Sequence, residues 1–315
     1  MKKVFLIDGG AGRVVTSIPA FLKYHKTHSD EDWKILVAGW DMVFWNIPEL
    51  QDRVFNLEIK GSFDNYLKDA DEIISPEPYR LPSYFRQEKS LAEAFDQIIN
   101  ETNDHSDLEP VKLVVSKKER MYAKNFIDGL RQQNGGRKIV IIQPFGQGAG
   151  MPFMPQNNQI VDFERRSLDP NDYLKIVKVL SQKYHLIFFG TNELTLQQDT
   201  FTQKLQSDLR TWIATIEQAD YLIGVDSLGQ HIARSVDTPG CVIFGSTFPV
   251  NTSYPDYFFI IDKDKNNRKY CPIRISMFDS DMVSRMNETC MKFTDNEIKK
   301  MCEAIDNDIQ KKTKG

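Results

Sequence analysis

Gly224-Val225-Asp226-Ser227-Leu228-Gly229-Gln230-His231-Ile232-Ala233 is the stretch on which the reading of the fold turns. The apolar run from Tyr221 to Val225 ends on a carboxylate and a glycine-containing turn, and apolar residues at helical spacing resume from Gln230 to Val236. Strand, turn and helix in that order are half of a βαβ unit. The strand delivers Asp226 to its carboxyl end, and the turn exposes the unpaired amides of a helix start, with His231 in the first turn. Two readings stand side by side. Asp226 and Ser227 cap the helix, or the amides and the positive end of the helix dipole frame an anion site that suits a diphosphate.

The same grammar extends in both directions. On the carboxyl side lies strand Cys241 to Phe244. On the amino side lie helix Thr211 to Gln218, strand His185 to Phe189, helix Pro170 to Lys183, and strand Lys138 to Gln143, whose continuous β-branched run suits burial on both faces. Further back, Val4 to Ile7 reads as a strand, Asp8-Gly9-Gly10-Ala11-Gly12 as a turn and Val14 to Lys26 as a helix. Strands follow at Lys34 to Ala38, Arg53 to Ile59 and Glu72 to Ser75, then helices at Ser90 to Asn100 and Lys117 to Gln133. Strands alternating with helices predict an α/β fold with parallel sheets. Asn134-Gly135-Gly136 is helix-stop chemistry and places a domain boundary there. The expected organisation is therefore 1–136, 137–293, and a last helix and tail over 294–315, opened by a Thr294/Glu297 capping box. In open α/β sheets ligands bind beyond the carboxyl ends of the strands. The segments starting at Gly190, Asp226 and Gly245 should therefore converge on one crevice.

Composition narrows the class. With 315 residues, 41% of them hydrophobic, the chain can bury a large core. It has no run near the roughly 20 apolar residues that span a bilayer. The opening apolar stretch meets Asp8 too soon for a signal peptide, so a cytoplasmic protein without stable membrane insertion is expected. Four widely spaced cysteines (Cys241, Cys271, Cys290, Cys302) suit neither a disulfide framework nor a zinc site. A net charge of -4 supplies no global attraction to nucleic acid.

The quoted motif resembles the donor-site signature of glycosyltransferase family 9, the heptosyltransferase-like enzymes, roughly D-[ST]-G-x-x-H-x-A. The likeness continues through Thr211 to Gly224, Phe188 to Glu193, and the strand and loop Pro239 to Pro249. It extends to Cys271-Pro272 with Cys290 before the capped last helix, and to the opening turn Gly10 to Pro19. It implies a GT-B fold: two Rossmann-like domains facing across a cleft, the acceptor mainly on the first, the donor on the second, and the last helix returning to the first. It also implies inverting, metal-independent transfer of a sugar from a nucleotide diphosphate to an acceptor hydroxyl, with the nucleotide sugar as co-substrate and no cofactor.

On that resemblance the donor-binding residues are Gly12, Gln143, Arg165, Arg166, Gly190, Glu193, Asp226, Ser227, Leu228, Gly229 and His231. One of Arg165 and Arg166 would offset leaving-group charge. Two positions depart from the pattern: Leu228 stands where the signature has glycine, with Gly229 next, and Arg13 stands where the family carries the aspartate of its first loop. Arg13 cannot accept a proton. The catalytic candidates are therefore Asp8, Asp41 and Arg13, with Asp8 favoured as base. Arg80, Tyr84 and Arg86, an aromatic and basic loop, are the acceptor-binding candidates. The acceptor is a glycan or lipopolysaccharide-type saccharide. A hydroxymethylated DNA base and a noncatalytic nucleotide-sugar-binding role are the alternatives.

Three signals are set aside. Asp262-Lys263-Asp264 matches a metal-binding DxD pattern but reads more simply as a solvated turn. The glycines of the first turn lack the G-x-G-x-x-G spacing of a dinucleotide site. His25, His28, His105 and His185 show no ligand-like spacing.

Overall fold

The computed structural model describes residues 1–146, 149–150, 161–162, 165–191, 194–205, 207–266 and 289–313. The chain forms two compact units, Met1–Ser116 and Lys117–Gly315.

The first unit contains β1 (Lys2–Ile7), α1 (Ala11–Thr27), β2 (Asp32–Val37), β3 (Val54–Asn56), β4 (Glu72–Ile74), α2 (Pro82–Phe85) and α3 (Leu91–Ile99). Its four strands are all parallel in the order β3-β2-β1-β4. Phe5, Phe21, Tyr24 and Trp33 meet edge to face in its core, with centroids 5.1 to 6.3 Å apart. The third strand is shorter than its apolar run predicts. Asn56 Oδ1 accepts from the Glu58 amide at 2.7 Å and turns the chain.

The second unit contains α4 (Lys117–Gln133), β5 (Ile139–Gln143), β6 (Ala149–Gly150), β7 (Val161–Asp162), α5 (Pro170–Leu180), β8 (His185–Phe188), β9 (Thr202–Lys204) and α6 (Leu209–Gln218). It continues with β10 (Tyr221–Val225), α7 (Leu228–Ser235), β11 (Gly240–Phe244), α8 (Pro249–Thr252), β12 (Phe259–Asp262) and α9 (Asp295–Lys312). The main sheet is parallel throughout in the order β12-β11-β10-β5-β8-β9. Its centre, β5, β10 and β11, is buried at every residue, as the unbroken apolar runs require. Aspartate caps open the covering helices: Asp169 accepts from the Asn171 amide at 2.9 Å and Asp208 from the Thr211 amide at 2.8 Å.

Two expectations about organisation are corrected. The units divide after Ser116, so α4 belongs to the second. Arg120 forks onto Glu217 at 2.8 Å, Arg210 onto Glu119 at 2.8 Å, and Arg131 reaches Asp220 at 3.1 Å, all of which bind α4 to α6 and β10. The glycines after α4 are a turn inside the unit, with Gly135 and Gly136 at φ 71 and 79. The last helix, expected to return to the first domain, packs within the second. Ile298, Met301, Cys302, Ile305 and Ile309 enter the core with Tyr173, Ile176 and Leu180 of α5. Tyr221 also donates to Asp308 at 2.5 Å. The capping box of α9 forms as expected.

β9 and β12 were not anticipated as strands. Both are short edge strands; β12 carries the apolar run from Phe258 to Ile261, whereas β9 is defined by its pairing. The segment read as a solvated turn after β12 is tied down: Asp264 is buried, and Lys263 pairs with Glu297 and lies 5.2 Å from the centre of the Phe293 ring.

Candidate functional site

In the second sheet the chain order reverses between β5 and β10: β8 and β9 extend one side, β11 and β12 the other. Such a switch point leaves a crevice beyond the strand ends, because the two connections leave in opposite directions. Gln143 closes β5 there, in register with Gly224 of β10. Its Oε1 accepts from the Gly229 amide at 2.7 Å and its Nε2 donates to Ser227 Oγ at 3.3 Å. A Cβ on Gly229 would lie 2.5 Å from that Oε1, so the close approach needs glycine. One first-turn amide of α7 is thus held by a side chain rather than presented to solvent. Leu228 begins the helix, half-buried, and Ser227 is its N-cap without a side-chain cap bond.

Asp226 does not cap α7 with its side chain. Its carboxylate is 4% exposed, accepting from Gln230 Nε2 at 3.0 Å and from Thr247 Oγ1 at 2.6 Å. It braces the 226–230 turn against the loop after β11. Burial raises its pKa, opposed by the Arg166 charge and hydroxyl hydrogen bonds. His231 Nδ1 lies 3.0 Å from the Tyr254 hydroxyl. Burial, reinforced by Arg166, pushes the imidazole down to about 3, so it is neutral at ordinary pH.

Arg166 joins this cluster. Its Nη1 donates to the Asp226 carbonyl at 3.1 Å. The turn that carries it is built on buried Asp162, whose Oδ2 accepts from the Arg166 amide at 3.2 Å, the Ser167 amide at 2.8 Å and Ser167 Oγ at 2.6 Å. Arg165 is exposed in the left-handed region at φ 52, a conformation the turn imposes on a non-glycine residue. Gly190 is explained by packing: a Cβ would lie 2.7 Å from the Phe188 ring. Glu193, with Cys271 and Pro272, lies outside the described residues.

The first unit places its candidates differently. Arg13 is buried at the corresponding switch point between β1 and β4. It donates from Nη1 to the Asp8 carbonyl at 2.6 Å and to the Asp8 carboxylate, and from Nη2 to the Pro76 carbonyl at 2.7 Å. Its guanidinium lies 5.7 Å from the Tyr79 ring centre and 5.6 Å from that of Phe95. Arg13 therefore stitches the β1–α1 turn to the loop after β4, and Gly12 sits half-buried in the first turn of α1. Asp8 remains at the strand end with its side chain 68% exposed. Asp41, after β2, accepts from Asn56 Nδ2 at 2.9 Å and Trp45 Nε1 at 3.3 Å. Of the acceptor candidates, Arg80 is exposed and Arg86 lies 3.7 Å from Glu88. Tyr84 is buried against Tyr79.

Asp162 and Tyr254 were not legible as site residues, since neither belongs to the local motif and each reaches it only through the fold. Gln230 lies inside the motif and Thr247 in the loop after β11, but their bonds to Asp226 were not legible. Among the described residues no group of three His, Cys, Asp or Glu is placed to hold a metal. Cys241, Cys290 and Cys302 lie buried in the apolar core.

Two parallel sheets, each flanked by helices and each with a switch point at its strand ends, define the GT-B class of fold. Solved structures share it over nearly the whole chain. The glycosyl transferase family 9 protein of Veillonella parvula matches with TM-score 0.64 and 11% identity, covering 96% of this chain and 97% of its own. The ADP-heptose lipopolysaccharide heptosyltransferase II of E. coli matches with TM-score 0.56 and 13% identity, covering 99% of each chain. The iron-containing dodecameric glycosyltransferase TibC of enterotoxigenic E. coli matches with TM-score 0.56 and 11% identity, covering 99% of this chain and 80% of its own. No family model and no curated sequence matches this chain.

Proposed function

We propose that the chain is a glycosyltransferase whose nucleoside diphosphate sugar sits at the β5/β10 switch point of the second unit. The observation that carries this reading is the meeting at one point of the α7 N-terminus, the Gln143 clamp and the Arg166 guanidinium. A departing diphosphate gains negative charge as the bond to the sugar breaks, and a fixed guanidinium and helix dipole stabilise that charge without reorganising. That charge offset supports transfer without a metal. If the Tyr254 O–H donates to Nδ1, neutral His231 keeps its proton on Nε2 and offers an uncharged donor to a phosphate or sugar oxygen. Ser227, Leu228, Gly190, Arg165 and Glu193 complete the donor set in this proposal.

The acceptor is a lipopolysaccharide-type saccharide bound by the first unit, with Asp8 as general base. The acceptor hydroxyl attacks the anomeric carbon from the face opposite the diphosphate. Asp8 takes its proton, and the nucleoside diphosphate leaves with the bonding pair, inverting the centre. E. coli heptosyltransferase II is described as an ADP-heptose enzyme, which makes ADP-heptose the first donor to test. We place the reaction in the cytosol.

The test is acceptor-dependent release of ADP from ADP-heptose with a truncated lipopolysaccharide. Release should be unchanged by EDTA, and the product should carry the inverted anomeric configuration by NMR. Asp8→Asn should lower turnover by about 10²-fold or more while leaving ADP affinity unchanged. Turnover unaffected by Asp8→Asn would remove Asp8 from the mechanism.

A further inference from the structure

Trp45 lies at the strand ends of the first sheet and takes no part in the reaction above. It follows β2 in a short helical turn, Asp41–Phe44, and is 53% exposed although indoles are normally covered. Its orientation is set by hydrogen bonds. Nε1 donates to Asp41 Oδ2 at 3.3 Å, and the other carboxylate oxygen accepts from Asn56 at the end of β3 at 2.9 Å. Ser62 Oγ donates to the Asn56 carbonyl at 3.0 Å, which brings the loop after β3 into the same assembly. Asn46, immediately after the indole, is held at φ 67, with its amide donating to the Val114 carbonyl at 3.4 Å. The ring is therefore fixed beside a carboxylate and an amide, at the edge of the sheet where α/β folds take their ligands.

We infer that Trp45, with Asp41 and Asn56, is a sugar-binding platform, the indole stacking on the C–H face of an uncharged pyranose ring while the polar pair receives its hydroxyl groups. This rests on the saccharide acceptor proposed above and names the residues that would select it. The Asp41 carboxylate beside the indole favours an uncharged partner over nucleic-acid phosphates and anionic lipid headgroups.

Saturation-transfer NMR on the full chain, with methyl glycosides of a heptose and of several hexoses as probes, tests the platform without requiring turnover. Ring C–H protons of at least one probe should receive saturation from the wild-type protein. The signal should disappear in Trp45→Ala and survive in part in Trp45→Phe, with ADP affinity by calorimetry the same in all three. With a productive acceptor, Trp45→Ala should raise KM about tenfold and leave kcat nearly unchanged, the loss of one aromatic contact. Equal saturation in wild type and Trp45→Ala, or none in wild type, would overturn the platform. So would Trp45-dependent binding to phosphatidylglycerol vesicles with no sugar signal. Failure of ADP to bind the wild type would instead strike the donor site and leave the sugar measurement standing.

Discussion

Gly229 and Gln143 show how closely the proposed donor site is fitted. Gly229→Ala drives a methyl group against the amide oxygen that holds the α7 terminus. It should cost about 1–3 kcal/mol in urea unfolding, the usual scale of overpacking. Adding Gln143→Ala should recover part of that loss, and strict additivity of the two changes would contradict the contact. His231 makes a pH prediction. Its folded pKa of about 3 lies below the ordinary imidazole value of 6.5, so the unfolded chain binds the extra proton first. The stability that its neutral form contributes is present above pH 6.5 and lost as pH falls toward 3. Asp226 has the opposite sign. Its raised pKa gives stability that is full below the ordinary carboxylate value of 3.8 and lost as pH rises through the folded value. His231→Gln keeps Asp226 and removes the imidazole. The wild type should therefore lose up to about 1.4 kcal/mol per pH unit more than the variant on acidification from neutrality. Parallel curves would contradict a buried neutral histidine.

At the scale of elements, α9 is the clearest case for the second unit's integrity. Ile305 is wholly buried there, and Ile305→Ala should cost about 2–5 kcal/mol. Hydrogen exchange should rise in α5, β8 and β10 while β1 to β4 keep their protection. Loss of protection in β1 instead would place the helix elsewhere. The capping box of this helix was legible because Thr294 and Glu297 act over three residues, whereas its docking surface was not, since an apolar stripe does not name its partner. The same distinction runs through the chain. β5, β10 and β11 declare themselves by unbroken apolar runs, but the polar β9 exists only through pairing. Asp226 was visible in its motif, yet its partner Thr247 lies 21 residues away. Arg13 was visible as a departure from a pattern, and only the loop at Pro76 and Glu77 explains it.

For the molecule as a whole, a fold shared at 11–13% identity with TM-scores of 0.56 to 0.64 rests on apolar strand patterns and a few tight turns. The proposed function requires a nucleoside diphosphate at the second unit's switch point. Amide hydrogen exchange of the full chain with and without ADP tests it most directly. Exchange should slow only at the β5 end, residues 226–231 and the loop after β11, and Arg166→Ala should abolish the slowing. Slowing confined to the first unit, or no change at saturating ADP, ADP-heptose, UDP and GDP, would contradict it.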